Sequence, residues 1–138
     1  MNTYNVNDSK FINSDMYKKF ISDNPGRGYL KIRAYSASQA VPVSGLEVVV
    51  SKVIDNNKVI FFEGVTNESG VIEQISLPTP KLDGDNLGIP NGISYDITTT
   101  YIPDNTTRIY KVNMYENVYV IQTINIVPEM MVGDFNGN

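Results

Sequence analysis

The stretch that decides the fold is Val118–Pro128, which reads VYVIQTINIVP. Apolar and polar side chains alternate along it, and this two-residue period is typical of a β-strand with one buried face. The run stops at a proline, which has no N–H group to donate to a sheet. Six earlier segments have the same character, and Gly, Pro, Asn or Asp residues separate them. Short strands with turns between them predict a β-sandwich.

The seven predicted strands follow one another from residue 29 to residue 127. They are Tyr29–Tyr35, Leu46–Ile54, Lys58–Val65, Val71–Leu77, Ile93–Ile102, Ile109–Met114 and Val118–Val127. We expect a hairpin turn at 55–57, since Asp and Asn tolerate left-handed backbone, and a positive φ at Gly70. The predicted fold class is mainly β: a seven-stranded antiparallel Greek-key β-sandwich. Residues expected in its core are Leu30, Ile32, Val48, Val50, Phe61, Ile75, Ile97 and Ile124.

Before the strands, the period changes to that of a helix over Lys10–Asp23. One stripe of this predicted amphipathic helix is apolar and consists of Phe11, Ile12, Met16, Phe20 and Ile21. Such a short helix is not stable alone, so the stripe must lie on the sandwich or on another chain. The expected organisation is an arm and helix at 1–27, the sandwich at 28–128 and a tail at 129–138.

The composition disfavours several classes of function. The chain has 138 residues, no Cys and no His, which removes thiolate chemistry, the commonest metal ligand and the usual general base near neutral pH. Its 11 Lys and Arg residues form no basic run, so we expect no nucleic-acid binding. No apolar run is long enough for a membrane span. The polar residues 1–10 lack a secretion-signal pattern, and the compartment stays open.

The long loop 78–92 is a candidate site in the sequence. Asp83 and Asp85 are two residues apart, a spacing that a carboxylate-using hydrolase or a calcium site could employ. No aromatic floor, catalytic partner motif or complete ligand set accompanies them, so an ordinary crossover between the sheets is the favoured interpretation. The sequence therefore assigns no catalytic residue, no metal ligand and no cofactor, and it predicts that the protein is not an enzyme.

The tyrosines offer a different kind of candidate site. Tyr29 and Tyr35 share one face of the first predicted strand with Lys31 and Arg33, and further tyrosines occur in what is predicted as the last hairpin. Tyr and Arg are enriched in protein interfaces, although Tyr also simply suits strands. The predicted partner-binding residues are Phe11, Met16, Phe20, Tyr29, Arg33, Tyr35 and Tyr119.

Three short motifs carry a family resemblance. Pro42–Val48 reads PVSGLEV, Thr66–Gly70 reads TNESG, and Leu77–Pro80 reads LPTP before the closing strand. In this order they resemble carboxypeptidase-regulatory-like and transthyretin-like domains. They are most similar to the N-terminal domain type of Firmicutes spore cortex-lytic and cell-wall proteins. The resemblance covers roughly residues 28–128, and Asn67 replaces the usual Asp while keeping the turn chemistry.

The resemblance by itself transfers no function, because this architecture hosts many. From the missing catalytic chemistry we expect a non-catalytic structural or interaction module of a bacterial surface, a spore or a phage-tail-like assembly, with protein partners or self-association. The alternative is a module that binds cell-wall polysaccharide. Coplanar exposed aromatic rings in a groove would distinguish the carbohydrate module from the assembly module.

Overall fold

The computed structural model describes residues 1–36, 40–82 and 92–127. These residues form two short helices and nine strands. The helices are α1 (Ser9–Ile12) and α2 (Asp15–Asp23). The strands are β1 (Thr3–Asn5), β2 (Gly26–Ser36), β3 (Val41–Pro42), β4 (Glu47–Ile54), β5 (Asn57–Val65), β6 (Val71–Thr79), β7 (Gly92–Tyr101), β8 (Thr106–Tyr115) and β9 (Tyr119–Asn125). The prediction of a mainly β protein is confirmed.

The strands form two sheets. The first sheet has the order β1-β5-β4-β7-β8. In the second sheet β2 lies in the centre, with β6 on one side and β9 on the other. The short strand β3 pairs with the end of β2 at Tyr35 and Ser36. Tyr95 connects the two sheets, because its hydroxyl on β7 donates a hydrogen bond to the carbonyl of Pro78 on β6.

The seven predicted strands correspond to β2 and β4–β9, and the structure adds the short strands β1 and β3. The all-antiparallel prediction is wrong at two places in the described residues, since β1 pairs with β5 and β9 pairs with β2 in parallel. The predicted last hairpin is also wrong, because β8 lies in the first sheet and β9 in the second. Side-chain alternation determines which face a residue occupies and says nothing about the direction of the neighbouring strand.

A single core cluster draws its residues from both sheets. Seven of the eight predicted core residues are buried, and Phe61 is partly buried against the cluster. Ile124 is fully buried, which confirms the predicted register of the closing strand. A slip by one residue would have turned this side chain to water.

The predicted turn chemistry is present. Asp55 and Asn56 adopt positive φ angles of 50° and 62°, as a tight hairpin between β4 and β5 requires. The Asn67 side chain accepts hydrogen bonds from the N–H groups of Ser69 and Val71, and Gly70 has φ of 75°. Gly70 is also crowded, because an added Cβ would lie 2.5 Å from the carbonyl oxygen of Ala34.

The predicted single helix is two helices. Ser14 has extended backbone angles, and its side chain accepts a hydrogen bond from the Tyr17 N–H, so it caps α2 and separates it from α1. Asp8 caps α1 in the same way. No helix in the described parts of the chain is long and apolar enough to cross a membrane. The calcium hypothesis at 83–86 and the predicted tail at 129–138 lie outside the described residues.

Candidate protein-binding face

Four of the predicted site residues meet on the outer face of the second sheet. Along β2, Leu30, Ile32 and Ala34 are buried, so the alternate residues face outward. The parallel register places the outward residues of β9 directly beside them. We call this surface the tyrosine face, and it consists of Tyr29, Lys31, Arg33, Tyr35, Tyr119 and Ile121.

Two tyrosines form one end of the tyrosine face. The rings of Tyr29 and Tyr119 are stacked, with centroids 4.8 Å apart and planes 22° apart. The centroid distance matches the spacing of neighbouring strands, since the register pairs the two residues. One face of each ring is therefore covered by the other ring. Tyr119 still exposes 70% of its surface, so the pair presents a large, rigid aromatic area to solvent.

The charges on this face are distributed unevenly. Lys31 lies 3.4 Å from the Glu73 carboxylate on β6, in an ion pair that is largely exposed and hence weak. Arg33 has no salt-bridge partner among the described residues, and its guanidinium lies 5.0 Å from the centre of the Tyr35 ring. This cation–π contact orients the guanidinium without neutralising it. Arg33 is thus available to donate hydrogen bonds to a carboxylate of a partner.

Ile121 adds apolar area beside Lys31, since it exposes 56% of its surface. The tyrosine face therefore combines stacked aromatic rings, one exposed aliphatic side chain and an oriented arginine. Its residues are on two paired strands, which limits the entropy that they lose on binding. This composition and rigidity are characteristic of protein interfaces.

The other predicted site residues are elsewhere. Phe11 and Phe20 are buried, and Met16 is partly buried. Phe11 and Phe20 belong to a series of ring contacts in which Phe11 stacks on Tyr4 at 4.9 Å, and Phe20 contacts Phe61 at 5.7 Å. The helix stripe thus packs on its own chain, which was one of the two expected outcomes. Ile12, 40% exposed, is the part of the stripe that is most open to solvent.

Lys52 is a half-buried residue that the sequence analysis missed. It follows Val48 and Val50 on the inward face of β4, donates a hydrogen bond to the carbonyl of Ser94, and lies 5.8 Å from the Tyr95 ring centre. Burial lowers its pKa, and the nearby Asp96 carboxylate opposes that shift. Simple alternation from Val48 and Val50 would have found this position. Its contacts are those of a structural residue, since the ammonium is bonded to backbone.

A second surface is a shallow concavity of about 390 Å³ on the outer face of the first sheet. Its lining includes Glu47, Val49, Glu63 and Thr98. The carboxylates of Glu47 and Glu63 have no salt-bridge partner in the part of the chain that the structure describes. Within the same described residues, no group of three or more His, Cys, Asp or Glu residues could hold a metal ion. The concavity lacks aromatic side chains, so the tyrosine face is the stronger candidate for a binding site.

No family model matches the sequence, and no curated protein matches it. The resemblance to transthyretin-like domains accordingly stays a prediction.

Proposed function

We propose that this protein is a non-catalytic interaction module that binds a protein partner through the tyrosine face. The observation that carries the proposal is the juxtaposition of Tyr29, Tyr119, Ile121 and Arg33 on one outward surface of two paired strands. Aromatic and arginine side chains at the centre of an interface supply most of its binding energy. The unneutralised Arg33 favours a partner with an acidic group facing it.

As part of this proposal, the two sheets form a Greek-key sandwich of the transthyretin-like type within a bacterial surface, spore or phage-tail-like assembly. The shared core and the Thr66–Gly70 turn support the fold. Thr66 is buried, donates to the Val43 carbonyl at 2.6 Å and accepts from the Leu46 N–H at 3.0 Å, so this motif holds two loops together. The parallel pairing of β2 with β9 departs from the all-antiparallel sandwich that was expected.

A photo-crosslinking amino acid tests the proposed surface. Placed at Ile121, it should give a defined adduct with a protein in the cells that make this chain. The matched control is Ile109 on the outer face of β8, which is 69% exposed and outside the tyrosine face. We expect the Ile121 adduct to disappear with Arg33→Glu, because a carboxylate would repel the acidic partner. Equal labelling at both positions, or an adduct with a different protein that ignores Arg33→Glu, would contradict the proposal.

The polysaccharide-binding alternative has one observation in its favour, the exposed ring of Tyr119. The geometry is against it, since sugar platforms need open coplanar rings and Tyr119 is stacked on Tyr29. Co-sedimentation with purified cell-wall polysaccharide decides between the two functions. Binding that is lost with Tyr119→Ala would favour the alternative, and no sedimentation is expected under our proposal.

A further inference from the structure

Strand β9 has a free edge. At its two ends the Tyr29 N–H donates to the Val118 carbonyl and the Ile126 N–H donates to the Tyr35 carbonyl. In a parallel ladder this register directs the peptide groups of the even-numbered residues of β9 towards β2. The N–H and C=O groups of the odd-numbered residues must then point away from β2. No other strand of the described residues pairs with them.

The residues at this edge are Tyr119, Ile121, Thr123 and Asn125. In the single chain the Gln122 side-chain amide bends back and donates to the Thr123 carbonyl at 3.2 Å. A side chain from the same strand thereby takes the place of a missing neighbour for one of these groups. Unpaired edge groups of this kind are a template for another strand.

The other sheet edges in the described residues are protected, and β9 is not. Strand β1 has only three residues, and the part of β5 that it leaves unpaired contains Glu63. Strand β3 has two residues and includes Pro42. Strand β6 contains Glu73, Pro78 and an irregular register against β2. Strand β8 contains Arg108 and Lys111. Charges, prolines, bulges and short length are the devices by which proteins block edge pairing. Strand β9 reads YVIQTIN, with no charge and no proline, and its register with β2 is regular.

We infer that two copies of this chain pair through β9, antiparallel, about a two-fold axis at Gln122. In this register Ile121 of one copy lies opposite Thr123 of the other, and Tyr119 lies opposite Asn125. Each edge-facing residue then meets an edge-facing residue, so the backbone groups satisfy one another. Gln122 meets its own copy on the axis. The pairing joins the second sheets of the two copies into one continuous sheet.

The charge of the chain favours this edge over other surfaces for a second copy. The net charge is -4, so two copies repel each other on average. An uncharged strand brings no like charges into contact in a symmetric interface, where each residue faces the same surface of its partner. A second copy is therefore the occupant that fits β9. This inference goes beyond the proposed function, because it assigns a second copy to the strand edge beside the tyrosine face.

The sharpest test removes one edge-facing N–H. In Thr123→Pro the lost N–H points away from β2, so the ladder that holds β9 in the chain is kept while the new strand cannot pair. We expect the wild-type chain to be a dimer by light scattering and Thr123→Pro to be a monomer with unchanged circular dichroism. Thr123→Val, which keeps the N–H, is the matched control and should remain a dimer. A monomeric wild type, or a dimeric Thr123→Pro, would overturn the pairing.

A second variant keeps the backbone intact in case the proline prevents folding. Gln122→Glu has nearly the same shape and places two carboxylates together on the axis. We expect this variant to be a monomer at neutral pH and to dimerise again as the pH falls below the ordinary glutamate pKa of about 4.3. The wild type should be a dimer at both pH values. A Gln122→Glu dimer at neutral pH would overturn the register centred on Gln122.

Amide hydrogen exchange of the wild type separates this inference from the proposed function. Pairing predicts that the odd-numbered amides of β9 become protected as protein concentration rises, with the even-numbered amides protected at all concentrations. Concentration-independent exchange would overturn the pairing. If Arg33-dependent crosslinking to another protein persisted in that case, the proposed function would stand alone. Loss of the crosslink with the dimer intact would instead reject the tyrosine face as the site for other partners.

Discussion

Tyr95 shows how one side chain joins the two sheets. It is 1% exposed, its ring meets Phe61 edge-on at 5.2 Å, and its hydroxyl donates to the Pro78 carbonyl. Burial raises the pKa of this phenol, the nearby Tyr17 raises it further, and Arg27 acts in the opposite direction. The folded protein therefore holds the proton at pH values at which the unfolded chain, with an ordinary value of 10.0, releases it.

Because of this raised pKa, the folded state loses stability at alkaline pH. The stabilisation is complete below the unfolded value of 10.0 and is lost as the pH rises above it. We expect Tyr95→Phe to lower the free energy of unfolding at neutral pH by about 1–3 kcal/mol, because the Pro78 carbonyl loses its donor. The free energy of unfolding of the variant should also fall less steeply as the pH rises above 10.0, the pKa of the tyrosine in the unfolded chain.

Denaturant titrations across the pH range would measure both effects. The control is Tyr119→Phe, whose hydroxyl lies on an exposed residue, and it should follow the wild-type profile. A Tyr95→Phe profile parallel to that of the wild type above the unfolded value would show that this phenol does not drive the alkaline loss.

At the scale of the element, β9 presents opposite faces to very different surroundings. Ile124 is fully buried in the core, and Ile121 on the same strand exposes 56% of its surface. Because the strand period is two, an odd-numbered and an even-numbered residue lie on opposite faces, so these two isoleucines face opposite sides of the sheet. The pair therefore gives a matched test of the register.

We expect Ile124→Ala to lower the free energy of unfolding by roughly 2–5 kcal/mol, through lost burial and the cavity that remains. Ile121→Ala should change it by about 0.5 kcal/mol or less, as exposed substitutions usually do. Chemical denaturation of both variants measures the difference. Similar losses in the two variants would mean that the register of β9 is wrong.

The parallel pairing of β2 with β9 is the feature of this element that matters most for function. Tyr29 and Tyr119 are 90 positions apart in the numbering, and the register places them side by side. Shifting β9 by two residues would preserve the buried face and separate the stacked rings. The tyrosine face is thus a product of the pairing register, not of alternation alone.

At the scale of the whole molecule, the N-terminal segment is part of the fold. Strand β1 pairs with β5, with the Lys58 N–H donating to the Asn2 carbonyl at 2.8 Å and the Val6 N–H to the Ile60 carbonyl at 3.0 Å. The helices add the aromatic contacts to Phe61, which itself packs on the core. This segment therefore covers both the edge of β5 and an aromatic side chain of the core.

Deleting residues 1–24 should destabilise the chain rather than leave an intact sandwich. The loss of the Phe11 and Phe20 burial alone is worth about 1.5–3 kcal/mol for each side chain, and Phe61 and the β5 edge become exposed. We expect a lower melting temperature and increased binding of a hydrophobic dye. The variant Ile12→Ser changes an exposed residue of the same segment and should behave like the wild type. If the truncated chain were as stable as the wild type, the helices would not contribute to the stability of the fold and would instead be available to bind a partner.

Local patterns in the sequence predicted much of this molecule. The alternation of apolar residues located the seven long strands and the inward face of most of them, as Leu30, Val48 and Ile124 show. The turn at 55–57 was predictable because Asp and Asn adopt left-handed backbone at low cost. The split of the helix was readable too, since Ser14 is a good capping residue, although the apolar stripe suggested one continuous helix.

Pairing between distant segments was not predictable, because local periodicity contains no information on which strands become neighbours. Strand β1 has too few residues for a period, and it exists as a strand because the edge of β5 accepts it. By itself the sequence determined which side of β2 bears Tyr29 and Arg33. Only the tertiary structure decided that Tyr119 and Ile121 lie beside them, because side-chain period fixes a face while hydrogen bonding between strands chooses the neighbour.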